Sequence, residues 1–137
     1  MSDILASMAT YLLTSSELTD LIGTRLRPMR LPAGSTSNPT VMPYVTYQLV
    51  DEPVHSTHDK KTTFKARVQV DVWSDSYKSA HAVGDVLFWL LHGFSGAWDP
   101  FTIGFVFRGL KQDDNGASDV GLEHLIQDFT IGYAEAG

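Results

Sequence analysis

The sequence predicts an α+β fold: a mainly antiparallel four- to five-stranded sheet with two main helices packed on one face. Three observations predict it. Thr63–Ser74 alternates strictly, with Phe64, Ala66, Val68, Val70 and Val72 on one side and Lys65, Arg67, Gln69 and Asp71 on the other. A period of two with one apolar and one polar face marks a half-buried antiparallel strand. Asp75–Leu91 instead carries its apolar residues at helical spacing. Finally, the segments run helix, candidate helix, two or three strands, helix, two strands, without the regular alternation that a doubly wound parallel sheet requires.

Each element has its own signature. Ile4, Leu5, Met8, Tyr11 and Leu12 form one face of a short helix, with Asp3 or Ser2 as its cap. Ser15 or Ser16 caps a second short helix carrying Leu18, Leu21 and Ile22, and Gly23 ends it in a left-handed conformation. Leu26–Arg30 is a candidate short strand and Leu31–Met42 a loop. Tyr44–Val50, rich in aromatic and β-branched residues, reads as a strand. Asp51–Thr62 is polar and reads either as a long hairpin tip or as a mobile loop with nothing to seed a core.

In the main helix, capped by Ser74 or Asp75 and terminated by Gly93, the stripe is Tyr77, Ala80, Gly84, Leu87, Phe88 and Leu91, widened by Val83, Val86 and Leu90. Small Ala80 and Gly84 let that helix lie close on a sheet. Phe94–Pro100 is a turn-rich connection. Phe101, Ile103, Phe105 and Phe107 alternate on one strand face. Asp113-Asp114-Asn115-Gly116 is a tight-turn signal, and Leu122–Tyr133 is the last strand. Its Leu125, Phe129, Ile131 and Tyr133 fall on one face, with His124, Asp128 and Thr130 on the other.

A chain of 137 residues fits one domain, 1–137, able to bury a real core without disulfides or metals. With 43% hydrophobic and 19% charged residues it is of globular composition. Cysteine is absent, which removes disulfides and thiolate metal sites. The net charge of −6 argues against a protein that grips phosphate backbones, although not against one that lets DNA pass. The first residues begin with an acidic residue, show helical spacing and lack a basic start, so they do not read as a signal peptide. The longest strongly apolar run, Val86–Leu91, is too short to span a bilayer.

No catalytic constellation stands out. His55 and His58 have ligand-like spacing but lack an H-E-x-x-H frame or a cysteine partner, and read as solvated loop residues. Gly93-Phe94-Ser95-Gly96 follows a helix rather than a strand, so it does not read as a nucleophile turn. Asp51/Glu52 and Asp113/Asp114 are sequence neighbours that satisfy turn donors more readily than they form an acid–base pair. No phosphate-cradling glycine loop is present, no cofactor is implied, and the chain does not read as an enzyme. Two features point outward. Trp73 and Trp98 both fall where the pattern predicts exposure, as interface anchors or as local packing beneath a loop. The basic groups Arg25/Arg27/Arg30 and Lys60/Lys61 are either solubilising surface or docking contacts.

Taken in order, the segments resemble the tail-terminator or tail-completion proteins of long-tailed bacteriophages, prophages and gene-transfer particles. The pieces that carry the resemblance are Leu21-Ile22-Gly23-Thr24-Arg25-Leu26, Pro28, Leu31-Pro32 and Pro43-Tyr44-Val45-Thr46-Tyr47. Arg67-Val68-Gln69-Val70-Asp71-Val72-Trp73, Ser76-Tyr77 and Leu91-His92-Gly93-Phe94 follow, and Leu125-Ile126-Gln127-Asp128-Phe129-Thr130-Ile131-Gly132-Tyr133 closes the set. Each is a strand or turn pattern; their order and spacing over nearly the whole chain carry the likeness.

The resemblance implies a structural virion protein, a ring of copies of itself, usually sixfold, that caps the tail tube, stops its polymerisation and joins the head or neck. The implied partners are the tail tube protein and a head-completion or neck protein. DNA crosses the lumen without specific binding, no membrane is involved, and assembly takes place in the host bacterial cytoplasm before the protein resides in the virion tail. Other readings are a head-completion adaptor and a small-molecule-binding α+β domain with a polar pocket. The candidate interface residues are Trp73, Trp98, Arg27, Arg30, His55, His58, Lys60 and Lys61. Asp113 and Asp114 are candidates for an acidic lumen or a turn, and the 51–62 segment is expected to be mobile and to order on docking.

Overall fold

The computed structural model describes residues 3–28, 43–56, 62–113 and 123–135. Within them the order is α1 (Ile4–Leu13), α2 (Ser16–Ile22), β1 (Leu26–Pro28), β2 (Tyr44–Asp51), β3 (Val54–Ser56) and β4 (Thr62–Ser74). Then come α3 (Tyr77–Leu91), β5 (Gly96–Trp98), β6 (Phe101–Asp113) and β7 (Glu123–Glu135). The α+β class holds, but the sheet is larger than four or five strands and there is a third helix. Seven strands form one sheet in the order β1-β2-β4-β7-β6-β5, with β3 also on β4. Every pairing is antiparallel except that of β1 with β2, so the sheet is mixed.

Two of the added strands, β3 and β5, are only three residues long, and the sequence read both as connections. The backbone at 54–56 pairs with Thr62–Phe64, so that part of the 51–62 segment is strand rather than loop. Periods of three residues are too short to register as alternation.

Caps fall where the sequence allows them. Asp3 accepts from the Leu5 N–H, Ser15 from Leu18 and Ser76 from Ser79. The cap of α3 is therefore Ser76, and not Ser74 or Asp75. Gly23 has the expected positive φ of 60°, but its ψ of −124° keeps it out of the left-handed helical well.

The core lies between the helices and one sheet face. Val68, Val70 and Val72 of β4, with Leu125, Phe129 and Ile131 of β7, meet Ala80, Val83, Leu87 and Leu91 of α3. A methyl group at Gly84 would sit 2.3 Å from Leu125 Cδ2, so glycine is what lets α3 approach β7. The Gln127 side chain fixes that contact by donating to the Gly84 carbonyl at 3.1 Å. Tyr77, assigned to the apolar stripe, is exposed instead and stacks on His81 one turn on.

A second departure matters more. The register of β6 against β7 shifts between Ile103 and Phe105 and again between Arg108 and Leu110. The first shift is a β-bulge at Gly104, and the residue it inserts flips the side chains that follow to the opposite face until the second shift, at Gly109, flips them back. Phe101 and Ile103 are buried, but Phe105 and Phe107 point away from the core and Val106 takes the inward place. Alternation in sequence therefore misassigns both phenylalanines.

Buried Tyr47 and Tyr133 tie stability to alkaline pH. Burial raises the Tyr133 phenol above its usual value, and its hydrogen bond to Glu52 Oε2 at 2.8 Å raises it further. Burial likewise raises Tyr47, helped by Asp3. Both shifts favour the protonated folded state, so their contribution is whole below pH 10 and is lost as pH rises through and beyond that value. Denaturant titrations are expected to give a stability about 1–3 kcal/mol lower at pH 11 than at pH 8. Equal stabilities at the two pH values would refute the assignment.

Candidate functional interface

The helices cover one face of the sheet. On the other face β4 presents Lys65, Arg67, Gln69, Asp71 and Trp73, and β7 presents His124, Ile126, Asp128 and Thr130. This face is not simply solvated, as strand alternation implies. Asp71 is 1% exposed, and His124 and Asp128 are also buried. A buried carboxylate needs partners. Asp71 accepts from Gln69 Nε2 at 2.9 Å and lies 2.8 Å from His124 Nε2. Asp128 Oδ2 accepts from Arg67 Nη2 at 2.8 Å. That hydrogen bond, reinforced by the carboxylate charge, raises the pKa of the Arg67 guanidinium.

Trp73 is the centre of this layer rather than an exposed anchor. Its ring stacks on His124 at 3.7 Å and on Tyr44 at 6.1 Å, and its Nε1–H donates to Thr46 Oγ1 at 3.2 Å. It is half-buried. Trp98 departs further from expectation: it is buried, 3% exposed, and packs between Tyr11 and Phe94 at 5.2 Å from each. Its burial follows from β5 pairing onto β6 and facing α1, a strand the sequence did not reveal. An indole closed off in this way cannot serve as a surface anchor, so the local-packing alternative holds for Trp98.

The structure does not bring the other candidate residues together. Arg27 is exposed on edge strand β1, far along the sheet order from β6. Arg30, His58, Lys60, Lys61 and Asp114 lie outside the described residues, as does most of the 51–62 segment's tip. His55 pairs through its backbone with Thr63 in β3. Asp113 ends β6 and holds His81 Nε2 of α3 at 2.8 Å, so it is a strand residue that ties the helix to the sheet.

The surface features that sequence reading missed are all apolar. Trp89, on the outward side of α3, is 78% exposed, the most exposed large hydrophobic side chain among the described residues. It stands about 200° round the helix from Leu87, opposite the buried stripe, and that offset was the signal that could have found it. On the uncovered sheet face, Phe105, Phe107 and Leu110 are 37%, 46% and 41% exposed. The Phe105 and Phe107 rings stack at 5.4 Å. Phe105 lies across Gly132 of β7, where a methyl group would overlap its ring. Several large apolar side chains on one uncovered face make a contiguous apolar patch rather than scattered exposure.

Two surface grooves accompany this arrangement. One, about 590 Å³, runs between α1 and the β5–β6 turn, bordered by Ser7, Thr10, Tyr11 and Asp99. The other, about 290 Å³, lies beside Phe105 and is lined by Phe64, Lys65, Gly132 and Tyr133. Among the described residues, no three His, Asp or Glu side chains gather as a metal site, and no helix is long and apolar enough to cross a membrane.

Comparison with known proteins identifies the fold and the family. A chain of the virion of a native gene transfer agent particle has the same fold, with a TM-score of 0.73 over 94% of this chain and 92% of that one, at 15% identity. No curated protein matches the sequence. The model of the family described as "Tail completion protein gp17" matches residues 6–134, nearly the whole length. The chain therefore belongs to the tail completion protein family.

Proposed function

We propose that this chain is a structural protein of the virion tail, which closes the end of the tail tube as a ring of identical copies, stops its polymerisation and offers the joining surface to the head. The family match over residues 6–134 carries the reading. The likeness to a chain from a gene transfer agent virion supports it. So does the uncovered sheet face with its exposed aromatics, since a ring subunit works through two different patches in head-to-tail contact. Six copies, a tail tube protein on one side and a neck protein on the other complete the assembly, which forms in the host cytoplasm. The protein performs no catalysis. DNA crosses the lumen unbound, helped by the net charge of −6, which repels phosphate.

The test adds the purified protein to growing tail tubes and follows them by electron microscopy. Tubes are expected to stop at a fixed length with a ring at one end. Unchanged growth, with no protein at tube ends, would sink the reading. Binding to the head connector but not to tubes would favour a neck adaptor instead.

A further inference from the structure

We infer that Trp89 of one copy inserts into the groove beside Phe105 of the next, and that this contact links the copies head to tail. The inference rests on the ring reading above and gives that ring its interface.

Size, charge and placement each support it. The groove of about 290 Å³ runs beside the Phe105 ring, which lies across Gly132, and is bordered on this face by Thr63, Lys65, Thr102 and Ala134, a volume that takes one large flat side chain. Trp89 is the largest side chain the described surface exposes, at 78%. Lys65 also lines the groove and is exposed. Asp85, four residues before Trp89 and on the same side of α3, is likewise exposed and keeps only a loose contact with Lys111 of its own chain, at 3.9 Å. An indole seated beside Phe105 therefore brings a carboxylate toward an ammonium.

Placement completes the case. The groove opens on the sheet face that no helix covers, whereas Trp89 points away from the sheet on the far side of α3. A patch and its complement on opposite sides of one chain cannot pair symmetrically. They repeat from copy to copy, which closes into a ring when the rotation allows. Phe107, stacked on Phe105, and Leu110 extend the apolar surface beside the groove, and a buried aromatic anchor of this kind dominates an interface.

The test measures association by analytical ultracentrifugation of wild type, Trp89→Ala and Phe105→Glu, both exposed positions, with thermal melts confirming that each folds. Each variant alone is expected to weaken association at least about 30-fold. Mixed together they should form a heterodimer and nothing larger, because one variant keeps the groove and the other keeps the tryptophan. Asp85→Lys and Lys65→Glu should each weaken assembly, and the pair should restore it.

Should free wild type stay monomeric, the same contact is read at tube ends. The chain has no cysteine, so Asp85→Cys with Lys65→Cys gives two unique sites for a short bismaleimide cross-linker. A ladder of oligomers is expected. Rings that form normally with Trp89→Ala or Phe105→Glu, or no ladder at capped tubes, would overturn the inference while leaving the tube-capping reading intact. Rings linked through this contact that leave tube growth untouched would do the reverse.

Discussion

Phe129→Ala is expected to destabilise the fold by about 3–5 kcal/mol, whereas Phe107→Ala should change stability by less than about 1 kcal/mol. The contrast is the point. Phe129 is fully buried on the inner face of β7, opposite Val68 of β4 and Arg108 of β6. Removing its ring loses the transfer free energy and leaves a cavity whose walls, the flanking strands, are held by ladder hydrogen bonds and cannot collapse. Phe107 lies on the uncovered face, partly in water, so truncation removes little buried area. Urea titrations of the two variants side by side would measure the difference. Equal losses would mean that Phe107 is inside and that the β6 register is not the one described.

The second large effect belongs to Gly84→Val, expected to cost about 3 kcal/mol. A Cβ at this position would stand 2.3 Å from Leu125 Cδ2, and Leu125 is fully buried, so its branch has nowhere to swing. The added branch also crowds Gln127 Nε2, which donates to the Gly84 carbonyl. The helix would have to rise off β7, opening the core along its length. Gly132→Ala makes a useful comparison. There the overlapping group is the ring of Phe105, which is partly exposed and free to turn outward. The Gly132 variant should fold with only a small loss. A melting temperature for Gly84→Val within a degree or two of wild type would show that α3 does not approach β7 closely.

How much of this was legible beforehand depends on the range of the forces that set it. The period of β4, the α3 stripe from Ala80 onward, and the caps Asp3 and Ser15, each one of two residues the sequence offered, are local properties, and they read correctly. The closeness of α3 to the sheet was visible in Ala80 and Gly84. The three-residue strands β3 and β5 were invisible, because they exist only through pairing with longer strands. The fate of Phe105 and Phe107 hung on one inserted residue, Gly104, and a bulge leaves no mark on a pattern of alternating letters. The same holds at the candidate interface. Trp98 looked exposed because its strand was unseen. Asp71 and His124 looked solvated because their burial depends on each other, 53 residues apart in sequence, and on the Trp73 ring that stacks over His124. Trp89 lies behind the α3 stripe, and a stripe marks only the buried side of a helix.

The turn after α3 leaves its own mark on the sheet. The Gly93 N–H donates to the Val106 carbonyl at 2.7 Å, and the His92 ring accepts from the Arg108 N–H at 3.1 Å, so two residues of that turn occupy the border of β6 as a partner strand would. An open border of this length is a template on which further strands can grow without limit. Here it is plugged through Arg108, and the stretch beyond carries Lys111, a charge that resists burial between stacked chains. The border of β6 is thereby closed to the edge of a neighbouring copy.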